Sequence, residues 1–166
     1  MNKAQVGIMP KLLPILLLVA CVDAGLPDHL TAAPAPGITE AQFALALEGA
    51  RGWERVGFHV EAAEPGSEPD VTVAACPAEQ AKADAVHGWS DGDSWDWFCV
   101  YAPDPDTEDF WWWSTSQHEW GHVLTRRLDH LPRFPWAVMG NSSDQLTCLD
   151  VLYACQAGSP LCPPCE

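Results

Sequence analysis

The sequence HEWGH at positions 118–122 is the most informative stretch of this chain. It lies in a run of residues that predicts one long helix, from about Phe110 towards Arg127. Residues four apart lie on the same face of a helix, so the imidazoles of His118 and His122 can reach one metal ion. Glu119 follows the first histidine directly. The stretch therefore predicts a helix that carries two metal ligands with a carboxyl beside them.

Two histidines at this spacing with a glutamate after the first are typical of zinc sites that activate water. Zinc lowers the pKa of a bound water to about 7. A neighbouring carboxylate can then remove a proton from that water during its attack on a carbonyl. We therefore expect zinc on His118 and His122, with Glu119 as the general base. A catalytic zinc also needs a third protein ligand and one open position.

The residues downstream of this motif resemble those of metzincins, most closely the matrixin-like bacterial peptidases. That family has HExxHxxGxxH, then a tight turn with a Met beneath the zinc, then a short closing helix that begins with a Leu-Thr…Asp pattern. Residues 128–130 of this chain resemble the end of the zinc motif, residues 137–139 the Met-turn, and residues 146–153 the closing helix. The resemblance covers roughly residues 40–154, and its specific motifs lie within 118–153.

The resemblance implies a zinc-dependent endopeptidase that hydrolyses a protein or peptide substrate. It also implies an α+β fold, with a short mixed sheet, a long active-site helix and a short C-terminal helix. Met139 would then form the hydrophobic floor of the zinc site without binding the metal.

The third ligand departs from the family's spacing. The family's third histidine would fall at Leu128, and the glycine that lets the chain turn back would fall at Thr125. A sharp left-handed turn without glycine costs about 1 kcal/mol or more. His130 comes two residues late and is the third ligand that we expect. Three carboxylates are the alternative ligands: Asp129, Asp144 and Asp150.

Other functions are compatible with the same residues. Asp129 and His130 followed by Trp136 also resemble the third-ligand segment of SprT-like zincins, which have no place for the Met-turn. The shifted third ligand also allows a non-catalytic surface lipoprotein that uses a zincin scaffold and a tryptophan-rich face to bind a partner. Zinc hydrolysis of a non-peptide amide is a further alternative.

The N-terminus has the pattern of an export signal. Lys3 and Lys11 precede an apolar run at residues 12–20 that is too short to span a bilayer as a helix. The run ends in Leu-Val-Ala-Cys, which resembles a bacterial lipobox in which Cys21 is acylated; an ordinary signal peptide is the alternative. We therefore predict a lipoprotein signal peptide at 1–20, a lipid anchor at Cys21, and a place in the bacterial cell envelope, on its periplasmic face or at the cell surface.

Residues 21–38 are rich in Pro, Ala and Gly and are predicted to be a tether, followed by one domain at 39–166. In that domain a helix is expected between Thr39 and Gly52, with strands at 55–60, 71–74 and 97–101. The long helix and a shorter one from about Thr147 to Ala154 follow. This order predicts an α+β domain with one small sheet.

The chain has seven cysteines, of which six follow Cys21. An even number in an exported chain favours disulfides, because the compartment is oxidising. We expect a Cys76–Cys99 bond between strands, with the last four cysteines closing the C-terminal segment. A structural zinc site that includes Cys162 and Cys165 is the alternative.

The formal charge of −15 excludes a protein that binds nucleic-acid backbones, since these need a basic surface. The expected partners are a substrate and, through the lipid anchor, a membrane, and the chain is expected to be a monomer. Closely spaced carboxylates at residues 91–96 can hold Ca²⁺, but a solvated loop is the simpler interpretation.

The aromatic residues and the remaining histidines have mostly structural interpretations. Trp120 is predicted to be a core residue. The three tryptophans at 111–113 are predicted to pack in the core, with a substrate-facing aromatic wall as the alternative. His29, His59 and His87 stand alone in the sequence and are expected to be structural or exposed.

Overall fold

The computed structural model of the protein describes residues 26–84, 87–90, 92–130, 138–140 and 146–164. Its strands are β1 (His29–Pro34), β2 (His59–Ala62), β3 (Val71–Ala75), β4 (Gly88–Ser90) and β5 (Trp97–Val100). Its helices are α1 (Glu40–Arg51), α2 (Ala78–Asp84), α3 (Glu108–Thr125) and α4 (Cys148–Ala157). Short 3₁₀ turns occupy Gly52–Val56, Pro105–Thr107 and Val138–Gly140. None of the helices in the described ranges is both long enough and apolar enough to cross a membrane.

The five strands form one mixed sheet in the order β2-β1-β3-β5-β4. The first four strands in this order run parallel, and β4 pairs antiparallel with β5 at the edge. The expected α+β class with one small mixed sheet is therefore confirmed.

The long helix α3 packs against α1 and against the β5–β4 side of the sheet. The two helices approach closely at Gly49, where a Cβ would lie 2.8 Å from the backbone nitrogen of Gln117. Two fully buried tryptophans connect α3 to α1 and to the 3₁₀ turn that follows α1. Trp120 Nε1 donates to the Ala46 carbonyl at 2.9 Å, and Trp53 Nε1 donates to the Gln117 carbonyl at 2.8 Å. The core prediction for Trp120 is confirmed, and these contacts fix the orientation of α3.

The boundaries of α1 and α4 in the structure agree closely with those predicted from the sequence. α1 has Thr39 as its N-cap in a capping box with Gln42, which satisfies backbone N–H groups at the start of the helix. α4 begins with a second capping box, between Thr147 and Asp150. The strands at 71–74 and 97–101 are also confirmed, as β3 and β5.

The predicted tether is wrong in its extent. Residues 29–34 form β1, which lies between β2 and β3 inside the sheet, so the folded domain begins before residue 39. Only Leu30 and Ala32 of this strand are buried. Two small apolar residues among Ala and Pro are too short a pattern to distinguish a strand from a linker. The predicted boundary at Cys21 and the signal peptide lie outside the described residues.

The strand expected at 55–60 is also displaced. The chain is a 3₁₀ turn to Val56, passes Gly57 with φ of 88°, and becomes β2 only at His59. The left-handed backbone at Gly57 ends the 3₁₀ turn. The apolar residues Val56, Phe58 and Val60, which alternate as in a strand, therefore begin in the 3₁₀ turn and end in β2. The strand β4 and the helix α2 were not predicted.

Disulfide bonds crosslink the sheet and the C-terminal segment. Cys76–Cys99 joins the end of β3 to β5, as predicted. Cys155–Cys162 joins α4 to the C-terminal segment, and Cys148 is also disulfide-bonded. The alternative of a zinc site on Cys162 and Cys165 is wrong, since Cys162 is oxidised; Cys165 lies outside the described residues.

Candidate metal centre

One face of α3 carries the residues of the predicted centre. Trp111, Thr115, His118 and His122 follow one another at spacings of three and four residues, which places them along one side of the helix. This side lines a cleft of about 490 Å³ between α3 and β4. The expected geometry of the HEWGH stretch is therefore present in the fold.

Three imidazoles meet in this cleft. His118 Nε2 lies 3.1 Å from His122 Nε2 and 3.1 Å from His130 Nε2. The candidate ligand atoms of the three residues all lie within 4.8 Å of one another. Within the described ranges these histidines are the only group of His, Cys, Asp and Glu arranged to hold a metal ion. Histidines that are four and eight positions apart in the chain therefore form one cluster that could hold a metal ion.

The opposite ring nitrogens of His118 and His122 bond to backbone carbonyls. His118 Nδ1 lies 2.6 Å from the Val138 carbonyl, and His122 Nδ1 lies 2.6 Å from the Arg127 carbonyl. A carbonyl only accepts, so each Nδ1 carries the proton and each Nε2 keeps a free lone pair. Such outer contacts orient the rings of metal-binding histidines.

Burial keeps these imidazoles neutral. It lowers the pKa of His118 to about 4, and burial together with the neighbouring His118 lowers the pKa of His122 to about 3. Burial also lowers the pKa of His130. The neutral imidazole is the form that binds metals, so the cluster has the correct protonation for a metal at neutral pH.

A left-handed residue returns the chain to the cluster. α3 ends at Thr125, and Arg126 takes φ of 51° and ψ of 44°. Its N–H donates to the His122 carbonyl. This left-handed turn therefore forms without a glycine. The chain then returns to α3, and His130 Nε2 lies 3.1 Å from His118 Nε2.

The two alternative carboxylates that the structure describes, Asp129 and Asp150, have other partners. Asp129 is paired with Arg127, whose Nε lies 2.8 Å from Asp129 Oδ1, and this hydrogen bond lowers the pKa of Asp129. The hydroxyl of Tyr153 donates to the Asp129 carbonyl at 2.8 Å. Asp150 accepts backbone N–H groups in the core, as described below. Asp144 lies outside the described residues. His130 is therefore the candidate that the structure brings to the helix histidines.

Met139 lies in a buried turn against α3. It is fully buried, and a Cβ at Gly121 would lie 2.3 Å from Met139 Sδ, so the methionine packs directly on the HEWGH helix. Asp150, also fully buried, accepts from the N–H groups of Val138 at 3.0 Å and Met139 at 2.8 Å. The start of α4 thus holds the turn whose Val138 carbonyl orients His118.

Glu119 is the one acidic side chain among the described residues that line the cleft. It is only 3% exposed, and burial raises its pKa to about 8, while the Ser90 hydroxyl opposes this rise. A carboxyl whose pKa lies near neutral pH is present in both its protonated and its ionised form, so it can donate or accept a proton, as general acid–base catalysis requires.

The cleft also contains residues that the sequence analysis did not assign to a site. Gly88 and Ser90 of β4 line it beside Glu119, and the His87 ring stacks on Trp111 with ring centroids 4.0 Å apart. Three residues are too few for an apolar alternation, so no sequence pattern marked β4. The prediction for the tryptophans is confirmed for Trp112, which is buried, whereas Trp111 lines the cleft.

The acidic stretch at 91–96 shows no metal-binding arrangement in its described part. Residues 92–94 form a turn, and the Asp96 carboxylate accepts from the Ser94 hydroxyl. Asp91 lies outside the described residues. The interpretation as a solvated loop remains the simpler one.

A comparison of the sequence with models of protein families found no match, and a search of curated proteins found no significant match either.

Proposed function

We propose that this chain is a zinc-dependent endopeptidase of the metzincin type. His118, His122 and His130 are its zinc ligands, and Glu119 is its general base. The observation that carries the proposal is the meeting of three neutral imidazoles and one buried carboxyl in a single cleft.

The donor set fits a catalytic zinc. Zinc binds neutral imidazole nitrogens, and catalytic sites use three protein ligands with one position left for water or substrate. Each of His118 and His122 presents a lone pair on Nε2 and has its Nδ1 proton bonded to a carbonyl. His130 is exposed, so the third side of the cluster faces solvent.

Zinc held there supplies Lewis acidity, which lowers the pKa of a coordinated water to about 7 and polarises a carbonyl. Glu119 is the group that takes the proton as the water attacks. With a cation held by the neighbouring histidines, the ionised form of Glu119 would be favoured, which would offset the effect of burial on its pKa. The same carboxyl, once protonated in its buried position, can return the proton to the leaving amine.

The buried methionine supports the metzincin type over the SprT-like alternative. Met139 packs on Gly121, and Asp150 holds the turn from the start of the closing helix. The SprT-like interpretation has no role for either residue. The proposed site of action is the cell envelope, since the lipobox-like sequence at Cys21 indicates export and lipid anchoring.

The test uses the purified full-length protein, its zinc content and its hydrolysis of fluorescein-labelled casein. We expect one zinc per chain, loss of hydrolysis after chelation, and recovery when zinc is returned. Glu119→Gln should retain zinc and lose between about 100- and 10,000-fold in kcat, the range for removing a general base. Asp109→Asn changes an exposed carboxylate on the same helix and should leave activity unchanged.

A protein that binds no zinc, or a Glu119→Gln variant as active as the wild type, would contradict the proposal. Absence of bound zinc would also favour the partner-binding lipoprotein.

A further inference from the structure

The edge strand β4 packs against α3 at Glu119. Gly88 and Ser90 are two residues apart on this strand, so both point to the same side of the sheet. Both line the cleft together with Glu119. Trp89, between them, packs with the Cys76–Cys99 cluster.

The backbone of β4 lies unusually close to the carboxyl at Gly88. A Cβ there would lie 2.9 Å from Glu119 Oε1 and 2.8 Å from the Cys99 carbonyl oxygen. A contact this short with a carbonyl oxygen of the adjoining strand can be relieved only by moving backbone. Glycine at this position therefore leaves the space that the Glu119 carboxyl occupies.

Ser90 is placed to fix the other oxygen of the carboxyl. Ser90 Oγ and Glu119 Oε2 are both sealed from solvent, and neither makes a hydrogen bond of standard geometry within the described residues. Ser90 lies on the same strand as Gly88, whose backbone approaches the Glu119 carboxyl, and Ser90 and Glu119 line the same cleft. A buried polar atom without a partner costs about 1–3 kcal/mol, so a small rotation that pairs the two atoms is favoured.

We propose that Ser90 is a positioning residue for the general base. Its hydroxyl donates to Glu119 Oε2 and holds the carboxyl in the orientation needed beside the histidine cluster, while Gly88 gives the carboxyl room. This inference rests on the proposed function, in which Glu119 moves the proton. A displacement of about 1 Å at a reacting group costs roughly 100-fold in rate, so the orientation has a measurable effect.

The principal experiment compares the full-length, zinc-loaded wild type with Ser90→Ala, using hydrolysis of fluorescein-labelled casein. We expect kcat to fall by about 10- to 100-fold in the variant, with KM and zinc content unchanged. Ser90→Thr keeps the hydroxyl and has a side chain that suits a strand, so it should recover most of the lost kcat.

Ser116→Ala is the matched control. Ser116 is fully buried on α3 and its hydroxyl also lacks a hydrogen-bond partner in the described part of the chain, but it does not line the cleft. The control should keep the wild-type kcat. An equal fall in both variants would assign the effect to general loosening of the packing and overturn the inference.

A second measurement does not depend on activity. Crystal structures of the zinc-loaded wild type and Ser90→Ala should differ by more than about 0.5 Å in the position of the Glu119 carboxyl, the tolerance to which catalytic groups are held. An unmoved carboxyl overturns the role of Ser90, whether or not casein is cleaved. Failure of the proposed function itself would be recognised separately, by a Glu119→Gln variant that is as active as the wild type.

Discussion

Asp129 and His130 are neighbours in the chain, but only the histidine reaches the cluster on α3. Asp129 forms a hydrogen-bonded pair with Arg127, and its backbone carbonyl accepts from Tyr153. The His130 ring stacks on His118 with ring centroids 5.1 Å apart. At the scale of single residues, the two side chains therefore have different roles, and substitution separates them.

We expect His130→Ala to weaken zinc binding by more than about 100-fold, beyond the range typical of losing an outer contact to a ligand. Asp129→Ala is the matched comparison and should weaken binding by less than about 10-fold, because it disturbs only the turn that presents His130. Competition with a chromogenic chelator measures both affinities. A larger loss in Asp129→Ala than in His130→Ala would identify the aspartate as the ligand.

Glu119 should reduce the stability of the metal-free protein at alkaline pH. Burial raises its pKa to about 8 from an ordinary value of 4.5, so the unfolded chain binds fewer protons between these values. Stability must then fall as pH rises through this window and stay low above it. Glu119→Gln removes the effect and should be more stable than the wild type by a few kcal/mol, about 1.4 kcal/mol for each unit of the pKa difference.

Denaturation by urea in the presence of a chelator checks this prediction. The stability difference between wild type and Glu119→Gln should be large at pH 9 and small at pH 4, where both side chains are neutral. A difference that does not depend on pH would show that the Glu119 carboxyl is not buried in the metal-free protein.

At the scale of elements, α4 supports the metal centre through one buried carboxylate. Asp150 accepts the N–H groups of Val138 and Met139, and its capping box with Thr147 begins the helix. The Val138 carbonyl in turn binds the Nδ1 proton of His118. The α4 N-terminus, the turn at Val138–Gly140 (the methionine turn) and His118 of α3 are thus connected by consecutive hydrogen bonds.

Asp150→Ala should therefore lower both stability and zinc affinity. Several buried N–H groups lose their acceptor, and each costs about 1–3 kcal/mol, so we expect a loss of at least about 3 kcal/mol in the free energy of unfolding. Zinc affinity should fall by about 10- to 100-fold, since His118 loses its outer support. Asp106→Ala, an exposed aspartate far from the centre in sequence, should change neither quantity.

Urea denaturation and chelator competition measure the two quantities. Unchanged zinc affinity in a folded Asp150→Ala variant would show that the methionine turn does not orient His118.

At the scale of the whole molecule, the prediction concerns where the chain resides. The apolar run that ends at Cys21 predicts acylation of this cysteine and retention in the envelope membrane. Cys21→Ser should abolish labelling by radioactive palmitate and move the protein from the membrane fraction to the soluble one. Cys76→Ser, which removes a cysteine of the folded domain, should leave the labelling intact. Membrane retention of Cys21→Ser without label would contradict a lipid anchor.

The sequence alone determined the parts of this protein that depend on local spacing. Three- and four-residue spacing on one helix places His118, Glu119 and His122 in one cleft. Cap residues such as Thr39 and Thr147 mark helix starts, because their side chains bond to N–H groups a few residues away. The Cys76–Cys99 bond was predicted because both cysteines adjoin recognisable strands.

The tertiary structure alone decided the features that depend on long-range contacts. β1 was mistaken for a tether because Leu30 and Ala32 become a strand only when β2 and β3 pair with them. The choice of His130 over Asp129 and Asp150 as the third candidate ligand needed the folded structure. There Asp129 pairs with Arg127, and Asp150 accepts from the methionine turn. Ser90 and Gly88 carried no sequence signal, because their place beside Glu119 is set by sheet pairing between residues that are distant along the chain. Local hydrogen bonds can be read from neighbouring residues, whereas burial and cross-strand contacts exist only in the folded chain.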